Sequence, residues 1–227
     1  MSNPFKKFVE NSKEVVALIT LHEEKNLGKQ SHHSLEILTK SCVVLMVACW
    51  EAFIEDTAEQ AVSFMVDNTK SPKKLPKALL KFIASELKAE KNELKIWELA
   101  GDGWEKITKD HFKTMLHKHL GPFNTPRAGN IDELYKKVLG LENLSSYWTW
   151  KGMTNKSAKN KLSDMITLRG SIAHRVKTSK KVSRALADKN ALHLVYLAIK
   201  TSNKVRKFMH SETGKYIWPE RSIKSIK

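Results

Sequence analysis

Apolar positions recur at intervals of three and four residues through most of the chain, and nowhere do they alternate with the period of two that a half-buried strand requires. The pattern predicts an all-α protein. A first helix is expected from about Pro4 to Lys25, with Asn3 as N-cap and Pro4 at the first helical position. Phe8, Val15, Leu18, Ile19 and His22 would form its buried side. A second, longer helix is expected from about Lys29 to Asn68. Its middle, CVVLMVACWEAFIEDTAEQAVSFMV, is apolar nearly all round, which places it at the centre of a helical bundle. Glu51 and Glu55 break that girdle directly after Trp50, four residues apart and so on one face. Carboxylates beside an apolar centre need partners.

Pro72 and Pro76 end the long helix and permit another, and Gly101-Asp102-Gly103 turns the chain into a helix from Glu105 to His119. Gly121-Pro122 closes that helix, and Pro122 to Asn130 reads as loop. A short helix over Ile131 to Val138 is closed by Gly140. The aromatic segment Tyr147, Trp148, Trp150 follows, which can stack bases but more often anchors a loop on the core. A further helix begins near Ser157 and carries Leu162, Met165, Ile166 and Leu168 up to Arg169, and a last one runs from about Val182 to Met209. No period of 20–50 residues repeats, which argues against a solenoid. The expectation is one domain over 1–227, with its core at about 29–209 and a short basic tail at 210–227.

Charge narrows the partners. The 227 residues hold 40 Lys and Arg against 24 Asp and Glu, a formal net charge of +16, on a chain that is 41% hydrophobic and 28% charged. That composition is globular, so the charge sits on a folded body and invites a polyanion. Lysines crowd at Lys70, Lys73, Lys74, Lys77 and Lys81, and again at Lys200, Lys204, Arg206 and Lys207. Each run reads either as a solvated face or as a track for a nucleic-acid backbone; Lys73, Lys74, Lys77, Lys204, Arg206 and Lys207 are the candidate RNA-binding residues. Charge alone does not choose between DNA and RNA.

Other chemistries find little support. Cys42 and Cys49 stand seven apart on one helix, about 10 Å, too far for a mutual disulfide. Sparse cysteine and the lack of an apolar signal region in Met1 to Lys7 fit the reducing cytoplasm, and the longest apolar run, Cys42 to Trp50, is half a membrane span. None of the nine histidines has a ligand partner at metal-binding spacing, and no phosphate-cradling glycine loop occurs, so no metal or cofactor is expected.

The remaining constellation is LSDMITLRGSIAHRVK, where Arg169 and His174 are separated by four residues and Arg175 follows. On an ideal helix the two side chains lie about 140° apart and would flank a groove. Gly170 between them invites a local distortion of the helix. This stretch resembles the Arg, four to six residues, His signature of HEPN domains. Together with VVLMVACWEAFIEDTAEQ, NTPRAGNIDELYKKVLGL and SSYWTW, occurring in that order, it is similar to the RiboL-PSP-HEPN branch.

The resemblance implies an all-α, metal-independent endoribonuclease, often a toxin or phage-defence effector. It also implies a homodimer whose two motifs line one cleft, with an antitoxin or defence-system protein as a possible further partner. Arg169 and His174 would be catalytic. Metal-free RNA cleavage needs a proton taken from the 2′-OH, charge stabilised on the phosphorus and a proton given to the 5′-oxygen. An imidazole, which titrates at about 6.5 when unperturbed, serves the proton transfers, and an arginine holds phosphate oxygens bidentately. Many members place Asn, Asp or His directly after the arginine where this chain has Gly170; Ser171 is the candidate substitute. Glu51 is the candidate for orienting Arg169 or His174, or else a buried carboxylate paired elsewhere. Arg175 is either a second phosphate ligand or a surface cation. Two rival readings share the same bundle: a non-catalytic RNA-binding module, and a structural dimerisation subunit.

Overall fold

The computed structural model describes residues 3–24, 31–120, 125–175 and 182–226. It is a bundle of α-helices: α1 (Pro4–Glu24), α2 (Ser31–Asp67), α3 (Lys77–Ala89), α4 (Gly103–Leu120), α5 (Ala128–Leu139), α6 (Asn155–Arg175) and α7 (Arg184–Thr213), with short 3-10 turns between and after them. Among the described residues there is no β-strand; one isolated bridge pairs Trp150 with Met153.

The hydrophobic pattern and the helices agree in most places, for identifiable reasons. Asn3 caps α1, its side-chain oxygen accepting from the Phe5 and Lys6 amides at 3.0 and 3.3 Å. Gly140 ends α5 in the left-handed conformation, φ 73°, that its missing Cβ permits. Three expectations are corrected. Leu18 is exposed, while Phe5, Phe8 and Val15 carry the buried side of α1; the side chains of Ile19 and His22 lie outside the described residues. The expected loop up to Asn130 is already helical from Ala128, because the Arg127 carbonyl accepts from the Ile131 amide and so completes the first turn. The helix expected to begin near Ser157 starts at Asn155 and passes through Gly170 undistorted to Arg175.

α2 is the axis on which α1, α4, α5, α6 and α7 pack. Over Glu36–Asp67 it is also long and apolar enough to cross a membrane, yet its Trp50, Ile54, Ala58 and Ala61 are completely buried by the other helices. Trp50 lies edge-on to the buried Trp148, ring centroids 6.0 Å apart, an arrangement aromatic quadrupoles favour. Trp148 also donates its indole N–H to Thr201 Oγ1 at 3.0 Å, so it anchors the segment between α5 and α6 onto α7. Tyr135 ties α5 to α2 by donating to the Ile54 carbonyl at 3.0 Å.

α6 and α7 run antiparallel. His193 contacts the Ala158 carbonyl at 3.1 Å near one end, and Ile172 packs with Val182 and Val43 near the other. Beyond α7 the chain folds back: Trp218 is buried and donates to the Ser202 carbonyl, and Arg206 donates to the Trp218 carbonyl.

Candidate functional site

The α6 helix sorts its residues by direction. Ala158, Leu162, Met165 and Ile166 are buried, and at 100° per residue Arg169 falls on that same inward face. Its Nε is shielded from solvent and has no hydrogen-bond partner among the described residues. Opposite, on α2, stands Glu51. Burial pushes the Glu51 carboxyl above its ordinary range, and the Arg169 charge pulls it partly back. The two charges therefore act on each other across the α2–α6 contact.

His174 leaves the helix on another side and is exposed. The expected groove flanked by both side chains is thus resolved into an inward arginine and an outward histidine about 140° away. The side chain of Arg175 lies outside the described residues. Ser171 spends its hydroxyl on its own helix, donating to the Thr167 carbonyl at 3.1 Å. Gly170 needs no special backbone conformation, and a Cβ built on it meets nothing within 4 Å. Space beside the helix, between Thr167 and His174, is open at this point.

A residue without an individual role in the sequence reading joins this face. Arg127, just before α5, lays its guanidinium along α6. Nη1 donates to the Ser163 hydroxyl and carbonyl, and Nη2 donates to Thr167 Oγ1 at 2.9 Å. Its backbone is held from below, because Trp50 donates its indole N–H to the neighbouring Pro126 carbonyl at 3.3 Å. The segment NTPRAGNIDELYKKVLGL contains Arg127, but its partners lie 36 and 40 residues away, beyond any local pattern.

The lysine-rich runs are not brought to this site. Lys73, Lys74 and Lys77 follow the C-terminus of α2, whose last residue Asp67 lies sixteen beyond Glu51, about 24 Å along the axis. Lys204, Arg206 and Lys207 lie some twenty residues, about 30 Å, along α7 from the end that meets the C-terminal half of α6. There Lys204 sits 3.8 Å over the exposed Tyr147 ring, and Arg206 sits 3.7 Å over Tyr216. Neither run continues directly into Arg169 and His174 along the elements that carry it. Among the described residues no three His, Cys, Asp or Glu side chains cluster in a way that could hold a metal ion.

The RiboL-PSP-HEPN family profile matches residues 6–209. The chain belongs to the RiboL-PSP-HEPN family. The match spans α1 to α7, including Glu51, Arg127, Arg169 and His174, and supports an RNA-related, nuclease-type HEPN module. No curated protein and no solved structure matches the chain.

Proposed function

We propose that this HEPN protein is a metal-independent endoribonuclease that cuts RNA by 2′-OH attack, leaving 2′,3′-cyclic phosphate and 5′-OH ends. The observation that carries the reading is the Arg169–His174 motif on α6 of a family-matched bundle, with the arginine opposite Glu51 and the imidazole exposed to solvent. Each side chain suits one task. His174 exchanges a proton with the 2′-oxygen or the leaving 5′-oxygen, and Arg169, with the Glu51 charge opposite it, neutralises charge growing on the phosphoryl oxygens.

Because the two point about 140° apart, one chain does not by itself close them around a single phosphate. A homodimer in which a second copy presents its own histidine supplies the missing direction and a second imidazole, so that one acts as base and the other as acid. In this reading the protein works on RNA in the cytoplasm as a toxin or phage-defence effector, with an antitoxin or defence-system protein as a further partner. The test is incubation of the purified protein with total RNA and tRNA in EDTA, followed by mapping of the ends. Cyclic phosphate and 5′-OH termini support the proposal, and 3′-OH or 5′-phosphate termini contradict it.

Gly170 favours a second reading, a binding module without turnover, since it leaves the position after the arginine without a polar group. Such a protein shifts RNA in a gel with steep salt dependence and leaves it uncut.

A further inference from the structure

Arg127 uses only part of its hydrogen-bonding capacity. A guanidinium has five N–H donors in a fixed plane. Two on Nη1 are engaged with Ser163 and one on Nη2 with Thr167. Nε–H and the second Nη2 hydrogen, the side-on pair that fits two oxygens of one phosphate, have no partner among the described residues. The engaged edge is fastened to α6, so the open edge is held rigid on a half-buried residue.

The location of that edge gives it meaning. Thr167 and His174 are seven residues apart, which brings them within about 20° of one line on the helix surface and about 10 Å along it. Gly170 and Ser171 lie between them, and the gap over Gly170 is unfilled. Side chains on a helix lean toward its N-terminus, so His174 leans back over this gap toward Arg127.

We propose that Arg127 is a phosphate-binding residue of the RNA site, holding through its Nε and Nη2 edge a backbone phosphate next to the one that His174 serves. The inference rests on the ribonuclease reading for its ligand. It assigns to this arginine the strand register that the distant lysine runs, at the far ends of α2 and α7, do not supply. Ser163 and Thr167 preorganise the fork, and the absent side chain of Gly170 leaves a passage for the strand between the two groups.

The test measures binding of a short 2′-O-methyl oligoribonucleotide, which cannot be cleaved by 2′-oxygen attack, across a series of KCl concentrations. Wild type is compared with Arg127→Gln, Arg127→Lys and Thr167→Val. The expected results are a roughly tenfold loss of affinity at low salt in Arg127→Gln and a slope of log K against log[KCl] shallower by about 0.7, the loss of one single-strand phosphate contact. Arg127→Lys keeps the wild-type slope with weaker binding, because a point charge replaces the fork. Thr167→Val weakens binding without changing the slope.

A variant Arg127→Gln that lowers the melting temperature but leaves the slope unchanged overturns the inference, because Arg127 is then only a clamp between α6 and the segment before α5. That outcome leaves the ribonuclease reading intact, since the measurement involves no cleavage. Failure of wild type to bind the oligonucleotide at all overturns the inference too, and the ribonuclease reading is then decided by the end mapping alone. A shallower slope in a protein that never cuts RNA upholds Arg127 as a phosphate ligand and removes only the catalytic reading.

Discussion

Arg169 of α6 and Glu51 of α2, both half-buried, interact electrostatically across the contact between their helices, the guanidinium Nε shielded and the carboxyl pushed up by burial more than the arginine pulls it down. The sign of that balance has a consequence for stability. A carboxyl whose folded value is raised contributes stability below its unfolded value, and that contribution is lost as pH rises through the folded value. Wild type therefore carries a penalty above that range which Glu51→Gln does not. Urea unfolding at pH 4 and pH 8 should show the variant gaining on wild type as pH rises, while RNA cleavage falls because Arg169 loses its counter-charge. An unchanged stability difference between the two pH values would show that Glu51 is not desolvated.

His193 makes the opposite prediction. It is almost fully buried against the Ala158 carbonyl, and burial, with Lys161 nearby, pulls its imidazole down to about 4. A base with a lowered folded value loses stability as pH falls from its unfolded value near 6.5 toward about 4. The loss should reach at most about 3 kcal/mol, and the slope should be much shallower in His193→Gln. Equal pH dependence of the two unfolding free energies would contradict this.

Gly170→Ala separates stability from function. The helix runs straight through this position and nothing meets the added methyl. Replacing a mid-helix glycine with alanine should therefore stabilise the protein by about 1 kcal/mol. If the gap is a passage for RNA, affinity for the oligonucleotide falls in the same variant. A thermal melt beside a binding titration reads both effects.

Trp50→Phe tests the support beneath Arg127. Phenylalanine keeps most of the aromatic packing but leaves the Pro126 carbonyl without its indole donor. An expected cost of about 1–3 kcal/mol follows from stranding a buried acceptor, with weaker RNA binding through the displaced Arg127. Undiminished binding in a destabilised variant would mean that Arg127 does not depend on this support.

The parts of this molecule that were legible in the sequence are those set by local pattern. The all-round apolar stretch of α2 marks it as the axis, Asn3 marks the start of α1 and Gly140 the end of α5. Trp148 anchors its segment as aromatic residues beside a core usually do. What local pattern could not reach depends on tertiary neighbours. Leu18 has the right spacing for burial but lines an open groove between α1 and α2 beside Leu45 and Cys49. The start of α5 falls inside the stretch from Pro122 to Asn130 that reads as loop, and Gly170 suggests a distortion that the surrounding helix does not need. Arg169 and His174 are legible as a pair, but their division into inward and outward groups requires the position of α2. Arg127 is not legible because its partners come from another helix, and the lysine runs, readable as solvated faces or as nucleic-acid tracks, are set apart from the motif only by the lengths of α2 and α7.

The most direct test of the ribonuclease account is cleavage of RNA in EDTA by stringently purified wild type beside His174→Ala, with circular dichroism and oligomeric state measured on both. The account predicts that the variant keeps its helicity and assembly and loses at least about a hundredfold in cleavage rate, the scale of a missing proton-transfer group. Cleavage by His174→Ala at the wild-type rate would contradict it.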